Sequence, residues 1–333
     1  MKIFRFFLLF LFIFLIFIGA FSFYSYRFFN VPYIKNDTFF IVKKGDNFTK
    51  IVNNLSDKNI IKPFNKKLFL YTSKIIYKNK IVVKAGEYLF AKNDTPLMIV
   101  RKLEKGEIYY RKLTFAEGLS NDTIIKMINS AEGLVGEIPS EEIAEGTLLP
   151  ETYLYTAGET KKSLILRMQK AMIQFFNEQW GKRADDLPFK TKQEALSLAS
   201  IIEKETGLPS ERAKVASVFI NRLKRKMRLQ SDPTVIYAFT GGNVDLERPI
   251  RKSDLTRISE YNTYIIKGIP DKPIANPGKE AIIATLNPEK TDYLYFVATG
   301  NGGHNFSKTL KEHNKFVGEY REIIQEEENE NAN

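Results

Sequence analysis

The run Thr191-Lys192-Gln193-Glu194-Ala195-Leu196-Ser197-Leu198-Ala199-Ser200-Ile201-Ile202-Glu203-Lys204-Glu205-Thr206 opens with a capping box. The Thr191 hydroxyl and the Glu194 carboxylate can satisfy reciprocally the free N–H groups of a helix start. Gly207 suits the position after a helix end and Pro209 prevents continuation, so a helix is predicted over 191–206. Its interior is almost wholly apolar or small, which marks it as buried. It nevertheless ends in two carboxylates. Glu203 and Glu205 lie about 200° apart around the axis and cannot share a face. Glu205 continues the stripe of Leu198, Ile201 and Ile202, whereas Glu203 follows Leu196, Ala199 and Ser200. A carboxyl closing an apolar stripe, beside the negative pole of a helix dipole, is expected to hold its proton above the ordinary range. That is the property of a general acid working near neutrality. On the helix alone a second reading stands: both residues face water at the last turn, paired with Lys204 or Arg212.

Outward from this helix, a second is predicted from Ser210 to Met227 and a third over about 160–180. Polar groups then recur inside apolar frames: Leu229-Gln230-Ser231-Asp232-Pro233-Thr234-Val235-Ile236-Tyr237, Tyr261-Asn262-Thr263-Tyr264, Pro273-Ile274-Ala275-Asn276-Pro277-Gly278 and Gly302-Gly303-His304-Asn305-Phe306. Amides, hydroxyls and ring faces suit saccharides; the same residues are also ordinary turn and core chemistry.

The totals exclude several classes. The 333 residues, 44% hydrophobic and 27% charged, describe a folded protein of two or three modest domains. Cysteine is absent, which removes disulfide scaffolds, thiol nucleophiles and Cys-based metal sites. The only histidines are His304 and His313, so no metal and no cofactor is expected. The net charge of +11 fits nucleic acid, an anionic membrane surface, an anionic wall polymer, or simple solubility and codon bias. Zinc-finger, RNP and basic-zipper patterns are missing, and Lys and Arg are spread widely, so nucleic acid is set aside. Gly-x-Ser-x-Gly and phosphate-loop signatures are missing too.

Phe6 to Tyr26 carries no charge and consists mostly of Phe, Leu and Ile. At about 1.5 Å per residue that run is roughly 30 Å long, the thickness of a bilayer core. Lys2 and Arg5 precede it and Arg27 follows; Tyr24 and Tyr26 sit where an interfacial aromatic belt would be. A transmembrane helix over 6–26 is predicted, with residues 1–5 cytoplasmic and the remainder exported. Ala20-Phe21-Ser22 keeps open a cleaved signal peptide.

A linker covers 27–37. The strand-like Phe39-Phe40-Ile41-Val42, the turn Lys44-Gly45-Asp46 and a helix from Phe48 to Leu55 capped by Asn47 resemble the opening of a LysM module, a small glycan-binding fold. A generic α+β unit opens the same way. Glu87-Tyr88-Leu89-Phe90 reads as a strand, and Asp94-Thr95-Pro96 and Gly106 as a helix start and stop. Near Glu117-Gly118-Leu119-Ser120 the chain becomes more helical. Residues 38–112 are assigned to the first subdomain, 113–322 to a second and 323–333 to an acidic tail.

Leu198 to Thr206, Lys214 to Leu223, Met227 to Tyr237, Tyr261-Asn262-Thr263-Tyr264 and Gly303-His304-Asn305-Phe306 together resemble the endolytic murein transglycosylase family, also called YceG-like. The resemblance spans roughly 40–320. It implies an α+β protein: an N-terminal transmembrane helix, a LysM-like α+β subdomain and a mixed α/β catalytic domain with the catalytic Glu on a helix. It implies internal cleavage of peptidoglycan glycan strands to leave 1,6-anhydro-N-acetylmuramic acid ends, with peptidoglycan synthases as partners. Lytic transglycosylases carry Glu followed by Ser; Glu205-Thr206 looks like that pair, so the catalytic role falls on Glu205, with Glu203 second. Gln230, Asp232, Asn262, Tyr264 and His304 are candidates to hold the saccharide, His304 alternatively pinning its glycine loop. Glu151, in a further stretch that resembles the family, lines the cleft or caps a turn. Two rivals remain: a non-catalytic wall-binding protein tethered to the membrane, and a hydrolytic muramidase in which Asp232 is a second acid.

Overall fold

The computed structural model describes residues 2–331 apart from 79–80, 139–142, 244–245, 247 and 301. The chain divides into two compact units, residues 1–111 with 154–159, and residues 112–153 with 160–333. Both mix helices with short strands.

In the first unit, α1 (Lys2–Asn30) contains a stretch, Phe4–Asn30, long and apolar enough to cross a membrane, exposed from Phe4 to Tyr24. Two antiparallel strands, β1 (Thr38–Val42) and β2 (Gly86–Phe90), pair with Phe40 opposite Tyr88. Alternate residues of this ladder point inward. Three helices complete the unit: α2 (Phe48–Asp57), α3 (Lys66–Ile76) and α4 (Pro96–Lys105). Asn47 caps α2 through Lys50 N–H, Thr95 caps α4, and Gly106 ends α4 with φ 66°, a conformation that glycine adopts without strain. Ile51, Leu55, Phe69, Tyr88, Phe90, Ile99 and Leu103 form the core. The end of α1 joins it: Phe29 is buried and stacks on Phe69 at 5.9 Å, and Tyr24 Oη donates to Asn65 Oδ1 at 2.7 Å.

The division passes through β3 (Arg111–Thr114) and β4 (Thr152–Tyr155). The second unit holds α5 (Asn121–Ser130), α6 (Lys161–Gly181), α7 (Lys192–Glu205), α8 (Pro209–Lys224), α9 (Asp232–Thr240) and α10 (Lys279–Leu286). An antiparallel pair follows, β5 (Tyr295–Ala298) with β6 (His304–Ser307), and then α11 (Leu310–Asn331), which runs into the acidic stretch.

Every residue of α7 from Ala195 to Ile202 is buried, packed against Val215 and Phe219 of α8 and Ile282 of α10. Its capping box is present with both reciprocal bonds. The helix stops because Thr206 turns extended, at φ −143°, and its Oγ1 accepts Leu208 N–H at 3.1 Å. Pro209 then serves as the first residue of α8. That helix is shorter than the stretch to Met227 expected from the sequence. Lys226 turns left-handed at φ 57°, and Met227 N–H closes back on Arg222 O at 2.9 Å.

The serines inside α7 are structural. Ser197 Oγ donates to Pro270 O at 2.7 Å, and Ser200 Oγ accepts Ile274 N–H at 2.9 Å. They stitch the 270–278 loop to the central helix. Within that loop Asn276 is fully buried; its amide donates to Leu119 O and Asn121 Oδ1 and accepts Leu148 N–H. The polar loop read from the sequence as possible sugar chemistry is thus a core fastening.

Candidate active site

A cleft of about 400 Å³ in the second unit is lined by Glu205, Arg222, Gln230, Asp232, Tyr264, Phe296, His304 and His313, among others. Glu205 sits where α7 ends. Ser231 Oγ donates to Glu205 Oε1 at 2.5 Å. Burial pushes the Glu205 carboxyl up to about 7, and the neighbouring Asp232 charge acts the same way; the Ser231 hydrogen bond and Arg222 oppose both. Near neutrality this acid is therefore poised between its two forms.

The loop before α9 is held from several sides. Gln230 adopts φ 52°, a left-handed conformation strained for a side-chain-bearing residue, while its N–H donates to Thr263 O at 3.2 Å. Ser231 N–H donates to Thr263 Oγ1 at 2.8 Å. Arg222, buried on α8, donates to Leu229 O and to Leu294 O, both at 2.7 Å, and reaches Gln230 Oε1 at 3.4 Å. On the cleft wall Tyr264 Oη donates to Asp232 Oδ1 at 2.6 Å. His304 is fixed by Glu211, which accepts its ring Nδ1–H at 2.7 Å and its backbone N–H at 3.1 Å. That leaves Nε2 as the ring nitrogen not bonded to Glu211.

The fold thus brings Glu205, Gln230, Asp232, Tyr264 and His304 to one cleft. Asn262 does not reach it: it is fully buried, donates to Leu255 O and Arg257 O, and accepts Tyr264 N–H. Glu151 is ion-paired with Lys279 and is not among the cleft residues. The Glu203 side chain is only 5% exposed, contrary to a solvent-facing last turn. It accepts Gly278 N–H at 2.8 Å and faces Arg212 at 3.4 Å. Burial, helped by Glu117, raises its carboxyl, while Gly278 N–H and Arg212 lower it.

Ser231, Arg222 and His313 were not singled out as site residues from the sequence. Arg222 had a readable signal, because it continues the apolar stripe of Val215, Val218 and Phe219 and must find acceptors inside the protein. A groove of about 350 Å³ between α6 and α7, lined by Met172, Ile173, Phe176 and Leu196, has no carboxylate among its described lining residues.

Residues 40–319, which include every cleft residue, match the model of the YceG-like family. The chain belongs to the YceG-like family. Among YceG-like relatives, the endolytic murein transglycosylase of Bacillus subtilis (strain 168) is 35% identical over 312 residues, covering 84% of this chain and 83% of the relative. The endolytic murein transglycosylase of Streptococcus pneumoniae (serotype 2, strain D39) is 28% identical over 324 residues, 84% of this chain but 57% of that longer protein. The crystal structure of a YceG-like protein from Listeria monocytogenes aligns with a TM-score of 0.52 and 31% identity, over 84% of this chain and 98% of that one.

Proposed function

We propose that this chain is a membrane-anchored endolytic lytic transglycosylase that cuts peptidoglycan glycan strands between N-acetylmuramic acid and N-acetylglucosamine. The observation carrying this reading is Glu205: a carboxyl raised to about 7, bound by one hydroxyl and open to a polar cleft. The names of the relatives support the substrate.

Ser231 commits Oε1 as an acceptor, so the proton of the neutral acid resides on Oε2. From there it passes to the glycosidic oxygen as the C1–O bond breaks and the sugar acquires oxocarbenium character. The resulting carboxylate then takes the proton of the sugar's own C6 hydroxyl, whose oxygen bonds to C1 and closes the 1,6-anhydro ring. Water is neither consumed nor released, and one carboxyl serves as acid and then as base. Gln230, Tyr264 and His304 orient the saccharide; Asp232, held by Tyr264, binds a sugar hydroxyl. Glu203 is a fastening for the Gly278 loop.

In this reading α1 crosses the cytoplasmic membrane with its N-terminus inside. Residues 38–112 form a LysM-like glycan-binding subdomain, residues 113–322 carry the chemistry, and cleavage ends strands made by peptidoglycan synthases.

The test is to incubate the detergent-solubilised full chain, Glu205→Gln and Glu203→Gln with purified peptidoglycan and to weigh the released glycans. Anhydro ends from the unaltered chain, reduced at least about a thousandfold by Glu205→Gln, are expected. Reducing ends would replace the reading with a hydrolase using Asp232. Loss confined to Glu203→Gln would move the acid, and wall binding without products would leave a tether.

A further inference from the structure

Helices at the surface of a water-soluble domain turn polar residues outward. α3 does not. Its inner face supplies Phe69 and Ser73 to the core, and on the opposite side Lys67, Tyr71, Lys74 and Ile75 fall within about 100° of one another. Tyr71 is 60% exposed and Ile75 76% exposed, and Phe64, in the turn before the helix, is 91% exposed. The charge along this stretch of sequence has one sign. From Lys58 to Gly86 the sequence contains eight lysines and no acidic residue. Interleaved cations and large apolar groups on one exposed helix face are the pattern of a helix lying in a membrane interface.

The turn that opens this helix touches α1, and that contact points to a partner for the face. Asn65, next to Phe64, accepts the hydroxyl of Tyr24, and Tyr24 stands at the end of the uncharged run of α1. Any bilayer that covers the run therefore brings its headgroups to the level of Phe64. Arg27 and Lys62 line the recess where Tyr24 meets Asn65. A soluble anionic polymer would pair with the lysines but would leave Phe64, Tyr71 and Ile75 in water.

We propose that the outer face of α3, with the Phe64 turn, docks onto anionic phospholipid headgroups of the same bilayer that α1 crosses. The proposal rests on the reading of α1 as an anchor. Phe64, Tyr71 and Ile75 enter the interface, the lysines pair with lipid phosphates, and the first unit is held at the membrane surface.

The absence of cysteine makes single-site labelling direct. The full chain is reconstituted into vesicles of phosphatidylcholine, alone or with phosphatidylglycerol, with a fluorophore on Ile75→Cys or, as the anchor control, on Phe14→Cys. Quenching by nitroxide-labelled lipid is read. The Ile75 label is expected to be quenched at least about twofold more in anionic than in neutral vesicles. Replacing Lys67, Lys74 and Lys78 by Gln removes that gain, since about fivefold in docking per lysine compounds to roughly a hundredfold. The substituted side chains are exposed or half-exposed, and circular dichroism checks the fold. A Phe14 label inside the bilayer with an Ile75 label that stays in water overturns the docking alone. A Phe14 label in water overturns the anchor and the docking with it. Shielding of Ile75 that rises with protein concentration, in neutral detergent without lipid, assigns the face to a second copy and also overturns the proposal.

Discussion

The Ser231 hydroxyl and the burial around Glu205 pull the same carboxyl in opposite directions. Burial wins, which is why the group reaches about 7 despite a 2.5 Å hydrogen bond. Removing the hydroxyl removes a lowering influence, so Ser231→Ala is expected to raise the group further. With Glu205 as the proposed acid, the rate needs its neutral form and falls as pH passes through its pKa, so in Ser231→Ala the alkaline limb is expected to move to higher pH while the plateau drops about tenfold from lost positioning. A limb that stays in place or moves down would contradict this. The same burial makes Glu205 a liability for stability. At pH values below 4.5 the acid is neutral whether the chain is folded or not. Between 4.5 and about 7 the unfolded chain ionises first, so stability declines; above 7 the loss is complete, roughly 3 kcal/mol. Glu205→Gln keeps an acceptor for Ser231 and carries no such charge. Urea unfolding at about pH 5 and about pH 8 is expected to show the variant gaining on the parent mainly at the higher pH; an equal difference at both would refute it. Helical phase set Glu205 apart from Glu203 in the sequence, but both proved mostly shielded from water. Their difference lies in partners, a loop serine for one and the Gly278 amide for the other.

Caps and apolar spacing made α7 legible, and its start is where an element-scale test is cleanest. Thr191 accepts Glu194 N–H at 3.1 Å, and Glu194 returns by accepting Thr191 N–H at 2.9 Å. Thr191→Ala is expected to destabilise the fold by about 1 kcal/mol without changing the pH profile, read by thermal unfolding beside activity. A loss under about 0.3 kcal/mol would mean that packing alone holds the helix start. α2 and α4 were equally readable, each from a capping residue before an amphipathic run. The end of α8 was not. Periodicity carried it to Met227, whereas Lys226 leaves the helix, and Arg222 gathers Arg228 O and Leu229 O into the loop that feeds α9. A left-handed residue compensated by an arginine reaching over six or seven positions leaves no periodic trace.

At the scale of the whole molecule, the uncharged run of α1 is a continuous exposed apolar surface, and water is a poor solvent for it. The full chain expressed in bacteria is expected to stay in the membrane fraction through an alkaline carbonate wash. Release by carbonate would mean that α1 does not span, and the anchor would be withdrawn. The family match from 40 to 319 begins after this helix, so the anchor is argued from composition and length and not from the match.

What could be read along the chain was what local chemistry encodes: the apolar N-terminal run, the capped helices, the carboxyl at the end of a buried stripe, and the motifs shared with the YceG-like family. What required the folded chain was every choice made by residues distant in sequence. Ser231, 26 positions away, reaches Glu205, while the adjacent Thr206 turns extended and its Oγ1 accepts Leu208 N–H. Asn262 and Asn276 went into the core, where their amides satisfy buried backbone groups that would otherwise lack partners. Tyr264 meets Asp232 across 32 positions, and Glu211 meets His304 across 93. Contacts of that span depend on how helices and loops pack, and neither propensity nor periodicity carries that information.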